Sequence, residues 1–156
     1  MSIVSESPSG KMSALFECAG QYRPAWLLAK ADSPFVYYEL SVGSIRFPGR
    51  KFTAKGVWSP GGRYFAAEEW ELEVDDSGPV LASIEEHDTH LLVIDTEKNA
   101  ECVVARVHNG HVVPVAFEGG LIVYYKEELL FAGLKRIFEI EFKRSSTWKP
   151  CSSKGS

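Results

Sequence analysis

Two segments of the chain read alike: VWSPGGRYFAAEE at residues 57–69 and VAFEGGLIVYYKE at residues 115–127. In each, a short apolar run meets a glycine pair, Gly61-Gly62 and then Gly119-Gly120. A second apolar run leaves the pair and ends in charge. Glycine reaches positive φ without a steric penalty, so a glycine pair between two runs of β-formers predicts a hairpin. Recurrence of the unit after about 58 residues predicts a repeated all-β module.

The other runs agree. FVYYELSV and SIRF are separated by Gly43, and HLLVID and ECVVARV are linked through Thr96–Asn99. VARVHNGHVVPV places Asn109-Gly110 between β-branched residues, the preferred sequence of a two-residue type I′ hairpin turn. LIVYYK and RIFEIEFK complete the series, the latter alternating Phe138, Ile140 and Phe142 with Glu139 and Glu141. In RYFAAEEWELEV, Trp70, Leu72 and Val74 alternate with Glu71 and Glu73, which predicts one buried and one carboxylate-bearing face. Phe65 has the wrong parity for that face, so a bulge is expected near Glu68-Glu69. KMSALFECAGQYRPAWLLAK supplies one short helix or an entry strand, interrupted at Arg23-Pro24. Residues 1–11 and 149–156 are polar and expected to be disordered, leaving 12–148 as a single β domain. The fold class expected is all-β, built of antiparallel meanders with at most one short N-terminal helix.

The first repeat resembles a known family. WSPGGRYFAAEE is similar to the Trp-Ser-Pro-Asp-Gly-Arg-x-x-Ala hairpin of bacterial WD-like β-propeller blades, with Gly61 where that family usually has Asp. The second repeat keeps only the glycines and the apolar envelope. The resemblance implies four-stranded blades of about 40 residues. Residues 53–108 then fit one blade and 112–143 three strands of the next. A closed ring needs more chain than this. An open half-propeller, or a two-sheet sandwich of the same meanders, is therefore expected, with sheet edges that loops, charge or a partner must cover.

Hydrophobic residues at 45% and charged residues at 24% of 156 belong to a folded chain large enough to bury a core unaided. No apolar run approaches the roughly 20 residues of a membrane helix, and no leader pattern is seen, so the cytoplasm is the expected location. Cys18, Cys102 and Cys151 are odd in number and far apart, which argues against a disulfide framework or a zinc site. Cys102 reads as a small core residue and Cys151 as part of an exposed tail.

Charge is the second signal. From Tyr64 to Glu97 there is no Lys or Arg, while eleven Asp and Glu residues fall there. Such a field speeds association with a basic protein and repels nucleic acid; the alternative is a solvated face with its loops. The residues expected to dock a partner are Glu69, Glu71, Glu73, Asp75, Asp76 and Glu85.

Catalytic and metal motifs are weaker. His87 and His90 are three apart and point to opposite sides of a strand. His108 and His111 would face each other across an Asn109-Gly110 hairpin, where a pair could bind metal or act as acid and base, or be polar tip residues without a role. Ser59 in WSPGG is followed by a strand, which excludes a nucleophile elbow, and the glycine pairs lead into strands, which excludes a phosphate loop. Trp58, Trp70, Tyr37, Tyr38, Tyr124 and Tyr125 read as core or cross-strand residues before a ligand pocket. The basic run Arg46, Arg50, Lys51, Lys55 and Arg63 reads as a solvated loop before an RNA-binding face. No cofactor, metal or catalytic residue is assigned.

The leading expectation is a small cytoplasmic protein-binding module. Small acidic bacterial proteins of this build resemble the immunity proteins of contact-dependent and secreted toxin systems. That resemblance implies an antitoxin-type inhibitor that sequesters a basic toxin, in many cases a nuclease, by occluding its active site. Two alternatives stay open: a small hydrolase or nuclease using a His pair, and a structural module that self-associates, as a homodimer, through open sheet edges.

Overall fold

A computed structural model describes residues 2–22, 35–71, 74–75, 78–79, 88–128, 135–145 and 147–151. Its strands are β1 (Ser2–Glu6), β2 (Ser13–Tyr22), β3 (Phe35–Val42), β4 (Ile45–Trp58), β5 (Tyr64–Trp70), β6 (Val74–Asp75) and β7 (Gly78–Pro79). They continue as β8 (Thr89–Asp95), β9 (Ala100–Val107), β10 (Gly110–Glu118), β11 (Leu121–Glu128), β12 (Lys135–Glu141) and β13 (Lys149–Pro150). Among the described residues there is no helix. The chain is all-β: an eight-stranded antiparallel sheet ordered β1-β2-β3-β4-β5-β8-β9-β13, and a three-stranded one ordered β10-β11-β12. The sheets are open, in the manner of a two-sheet sandwich.

The expected helix or entry strand at the N-terminus is strand β2 as far as Tyr22; residues 23–34 lie outside the described residues. Ser2–Glu6 and Lys149–Pro150, expected to be disordered, are edge strands: β1 pairs with β2 and β13 with β9. A long-range bond holds β1 in place, the Trp58 indole donating to the Ser5 carbonyl at 3.0 Å.

One core cluster lies on one face of the large sheet and gathers Phe16, Leu40, Phe47, Phe52, Phe65 and Ile94 from β2 to β8. The other lies between that sheet's opposite face and the small sheet, joining Ala66, Leu91 and Val93 to Val112, Phe117, Ile122 and Phe142. Strands β5 and β8 are therefore covered on both sides. This explains the parity of Phe65 without a bulge at Glu68-Glu69. The β5–β8 pairing runs unbroken from Tyr64↔Asp95 to Trp70↔Thr89. The irregularity sits instead in β4, between Phe52 and Gly56. The short apolar residues Ala66 and Ala67 each lie in one of the two clusters.

The Gly-Gly hairpins are both present. Gly119-Gly120 joins Glu118 to its pairing partner Leu121, with φ of 56° and 84°, the positive pair a type I′ turn requires. The Asn109-Gly110 expectation is corrected. β9 pairs with β8 and β13, and β10 with β11, so residues 108–109 carry the chain from one sheet to the other. Asn109 has φ of 51°, but Gly110 is not at positive φ. Glycine stands at 110 because a Cβ would overlap the Glu127 carbonyl oxygen and the Val107 side chain.

Candidate functional site

Bulged β4 places Arg50 on the face of the large sheet that carries Phe47, Phe52 and Phe65, between the rings of Phe47 and Phe52, with centroids 5.1 and 5.9 Å from the guanidinium carbon. From there the guanidinium reaches two carboxylates on other strands. Nε and Nη2 donate to Glu69 of β5 at 2.7 and 2.6 Å, and Nη1 donates to both oxygens of Glu101 of β9 at 2.9 and 2.8 Å. Arg50, Glu69 and Glu101 are all buried. Bidentate geometry with both carboxylates offsets the desolvation that burial imposes.

His90 extends the array. It lies opposite Glu69 across the β5–β8 ladder, with Nε2 at 2.6 Å from Glu69 Oε1 and Nδ1 at 2.8 Å from Glu71 Oε1. Glu71 Oε1 also accepts from Arg106 Nη1. Acids and bases thus alternate as Glu101, Arg50, Glu69, His90, Glu71 and Arg106, running from the core to the surface. Burial alone would raise the Glu69 carboxyl, but the Arg50 and His90 bonds outweigh it and hold Glu69 down at about 2. Burial likewise opposes the Arg50 charge, and its bonds to Glu69 and Glu101 prevail, pushing Arg50 above the usual arginine range.

A second array lies on the opposite face of β5. Glu68, with no exposed surface, accepts from Thr53 Oγ1 at 2.6 Å and from the Val112 N–H at 2.7 Å, and lies 3.1 Å from His111 Nδ1. It ties β4 and β5 to the small sheet. The expected His108/His111 pair does not form. His108 turns to Asp88, with Nδ1 2.7 Å from the carboxylate, and His111 turns to Glu68. Their separation follows from the Asn109-Gly110 crossover.

The other acids of the 64–97 stretch whose side chains are described behave the same way. Asp95 accepts from Arg63 Nε and Nη2 at 3.0 and 2.9 Å and from the N–H groups of Glu97 and Lys98; Glu97 lies 3.3 Å from Arg63. Of the expected docking residues, Glu69 is buried with both oxygens bonded inside the molecule, so its expected place on an open docking face does not hold. Glu71 is partly exposed and bonded to His90 and Arg106. Asp75 is in the short strand β6, while Glu73, Asp76 and Glu85 lie outside the described residues, as does His87. Arg50, Glu101 and Arg106 were not singled out as parts of one site. The legible signal was an arginine held between two phenylalanines inside a strand-forming run.

The arrangement suits holding strands together better than reacting. A general base needs a nitrogen or oxygen open to substrate, and both ring nitrogens of His90 face carboxylates. Among the described residues no group of three His, Cys, Asp or Glu side chains is placed to hold a metal ion. Ser59 is buried, and its Oγ accepts from the Tyr64 N–H at 3.0 Å. The Cys102 and Cys151 thiols are each pushed up by burial to about 12, which favours the protonated form over the thiolate. A different surface is open to a ligand. The two Gly-Gly turns come together at a cleft of about 270 Å³ lined by Tyr64, Phe117 and Phe142, with Arg63 and Lys143 alongside. The Tyr64 and Phe142 rings meet edge to face at 4.9 Å.

Comparison with protein-family models, with curated proteins and with solved structures finds no match for the chain.

Proposed function

We propose that the chain is a small protein-binding module, an inhibitor of the immunity type that sequesters a basic partner by covering its working surface. One observation carries this reading. The six acids between Tyr64 and Glu97 whose side chains are described are each matched to an arginine or histidine of the chain itself: Glu68, Glu69, Glu71, Asp88, Asp95 and Glu97. Arg50, Arg63 and Arg106 are committed to this internal work. The other five, Glu73, Asp75, Asp76, Glu85 and Glu86, fall in residues 72–87, a stretch with no Lys or Arg. On this reading these five supply the attractive field. Sequestration needs no chemistry, only charge-matched docking over roughly 1,600 Å² in total. The hydrolase alternative has less support: His108 and His111 are bound to different acids, and of its other pair His90 is held between two carboxylates while His87 lies outside the described residues.

Affinity purification of the tagged chain from its native cells, followed by an activity assay of whatever is retained, tests the proposal. The expected result is a basic protein whose activity falls in proportion to added chain. Retention of no basic protein, or an activity unchanged by saturating chain, contradicts it.

A further inference from the structure

We propose that two copies of the chain pair edge to edge through β12, antiparallel, with Ile137 on the two-fold axis. β12 ends the small sheet, and among the described residues no strand pairs with its far side. All but one of its seven residues are exposed, and Ile137 is 74% exposed, the highest of any large apolar side chain described. Among the described residues the backbone groups of this edge meet no strand, and a second strand would complete them.

The sequence of β12 decides the occupant. KRIFEIE is basic at its start and acidic at its end, so it complements its own reverse. Antiparallel pairing about Ile137 sets Lys135 opposite the partner's Glu139 and Glu139 opposite the partner's Lys135. Ile137 meets the partner's Ile137, and Arg136 meets the partner's Phe138. Opposed unlike charges and opposed apolar residues are the cross-strand pairs that favour a sheet. Placing the axis on Phe138 would set Ile137 against Glu139, and parallel in-register pairing would set Lys135 against Lys135.

The face beyond the strand agrees. Val113 pairs with Tyr125 and Tyr125 with Ile137, so these three form an apolar row across β10, β11 and β12. A two-fold at Ile137 continues the row into the second copy and turns two three-stranded sheets into one of six. Such an isologous contact closes on itself and stops at two copies. One strand pair is at the small end of stable interfaces, so the dimer is expected to dissociate on dilution.

Sedimentation velocity from low micromolar to several hundred micromolar chain tests this, with circular dichroism to show that each variant is folded. The wild type should pass from monomer to dimer over that range. Ile137→Lys, Lys135→Glu and Glu139→Lys change exposed side chains, and each should weaken the dimer about tenfold. The double variant Lys135→Glu/Glu139→Lys restores both pairs in reversed sense and should recover wild-type association. A wild type monomeric throughout, single variants that associate as well as wild type, or a double variant no better than the singles would overturn the proposal.

Discussion

Arg50 joins three strands through its bonds to Glu69 and Glu101. It neutralises two buried carboxylates from strands on either side of β8. Arg50→Met keeps the bulk and removes the charge, leaving Glu69 and Glu101 buried without their main cation. Removing one partner of a buried ion pair costs roughly 3–5 kcal/mol. The urea midpoint should fall by that equivalent. Glu69 also links stability to pH. Its carboxyl is held at about 2, below its ordinary 4.5. The stabilisation is therefore fully present above the ordinary value and is lost as pH falls from about 4.5 toward 2. Thermal scans should show the melting temperature dropping across that window. In Glu69→Gln the drop should be smaller and the melting temperature at neutral pH lower. Little of this was readable from the chain. Glu69 looks like part of an exposed acidic run because its partners, Arg50 and His90, lie 19 residues before it and 21 after, joined only once β4, β5 and β8 are aligned.

At the scale of elements, the hairpins that glycine marks are legible when the strands on either side are also sequential neighbours in a sheet. FVYYELSV with SIRF, HLLVID with ECVVARV, and both Gly-Gly units pair as read. Asn109-Gly110 has an equally good local sequence, yet the chain leaves one sheet for the other there. The Gly110 backbone lies against Glu127, a contact no local pattern announces. The two glycine sites should therefore respond differently to alanine. At Gly119 a methyl group meets nothing within 4 Å and only the positive φ opposes it, for a loss of about 1 kcal/mol. At Gly110 the φ is not at fault, but the methyl overlaps backbone, and the loss should be larger, roughly 1–3 kcal/mol. Chemical denaturation of the two variants ranks them; equal losses would remove the steric explanation. The bulge read near Glu68-Glu69 is absent for a related reason. A strand covered on both faces has no polar side, so Glu68 and Glu69 are each paired inside.

For the molecule as a whole, the proposed function divides the acids behind the net charge of −4 into those bonded within the sheets and those on which a basic partner would dock. The all-β class was legible because period-2 runs and glycine turns are local, whereas the split into eight and three strands depends on one crossover. The proposed docking face can be separated from the scaffold by kinetics. With a co-purified basic partner in hand, the association rate is measured for the wild type, for Glu69→Gln and for Glu73→Lys/Asp76→Lys, each at low and high salt. Electrostatic steering is screened over about 8–10 Å at ordinary ionic strength. The expected result is a wild-type rate that falls steeply with salt and a double reversal that is slow at low salt. Glu69→Gln should associate like the wild type, because its side chain faces the interior. Association indifferent both to salt and to the double reversal would contradict the proposed docking of a basic partner on the acidic segment.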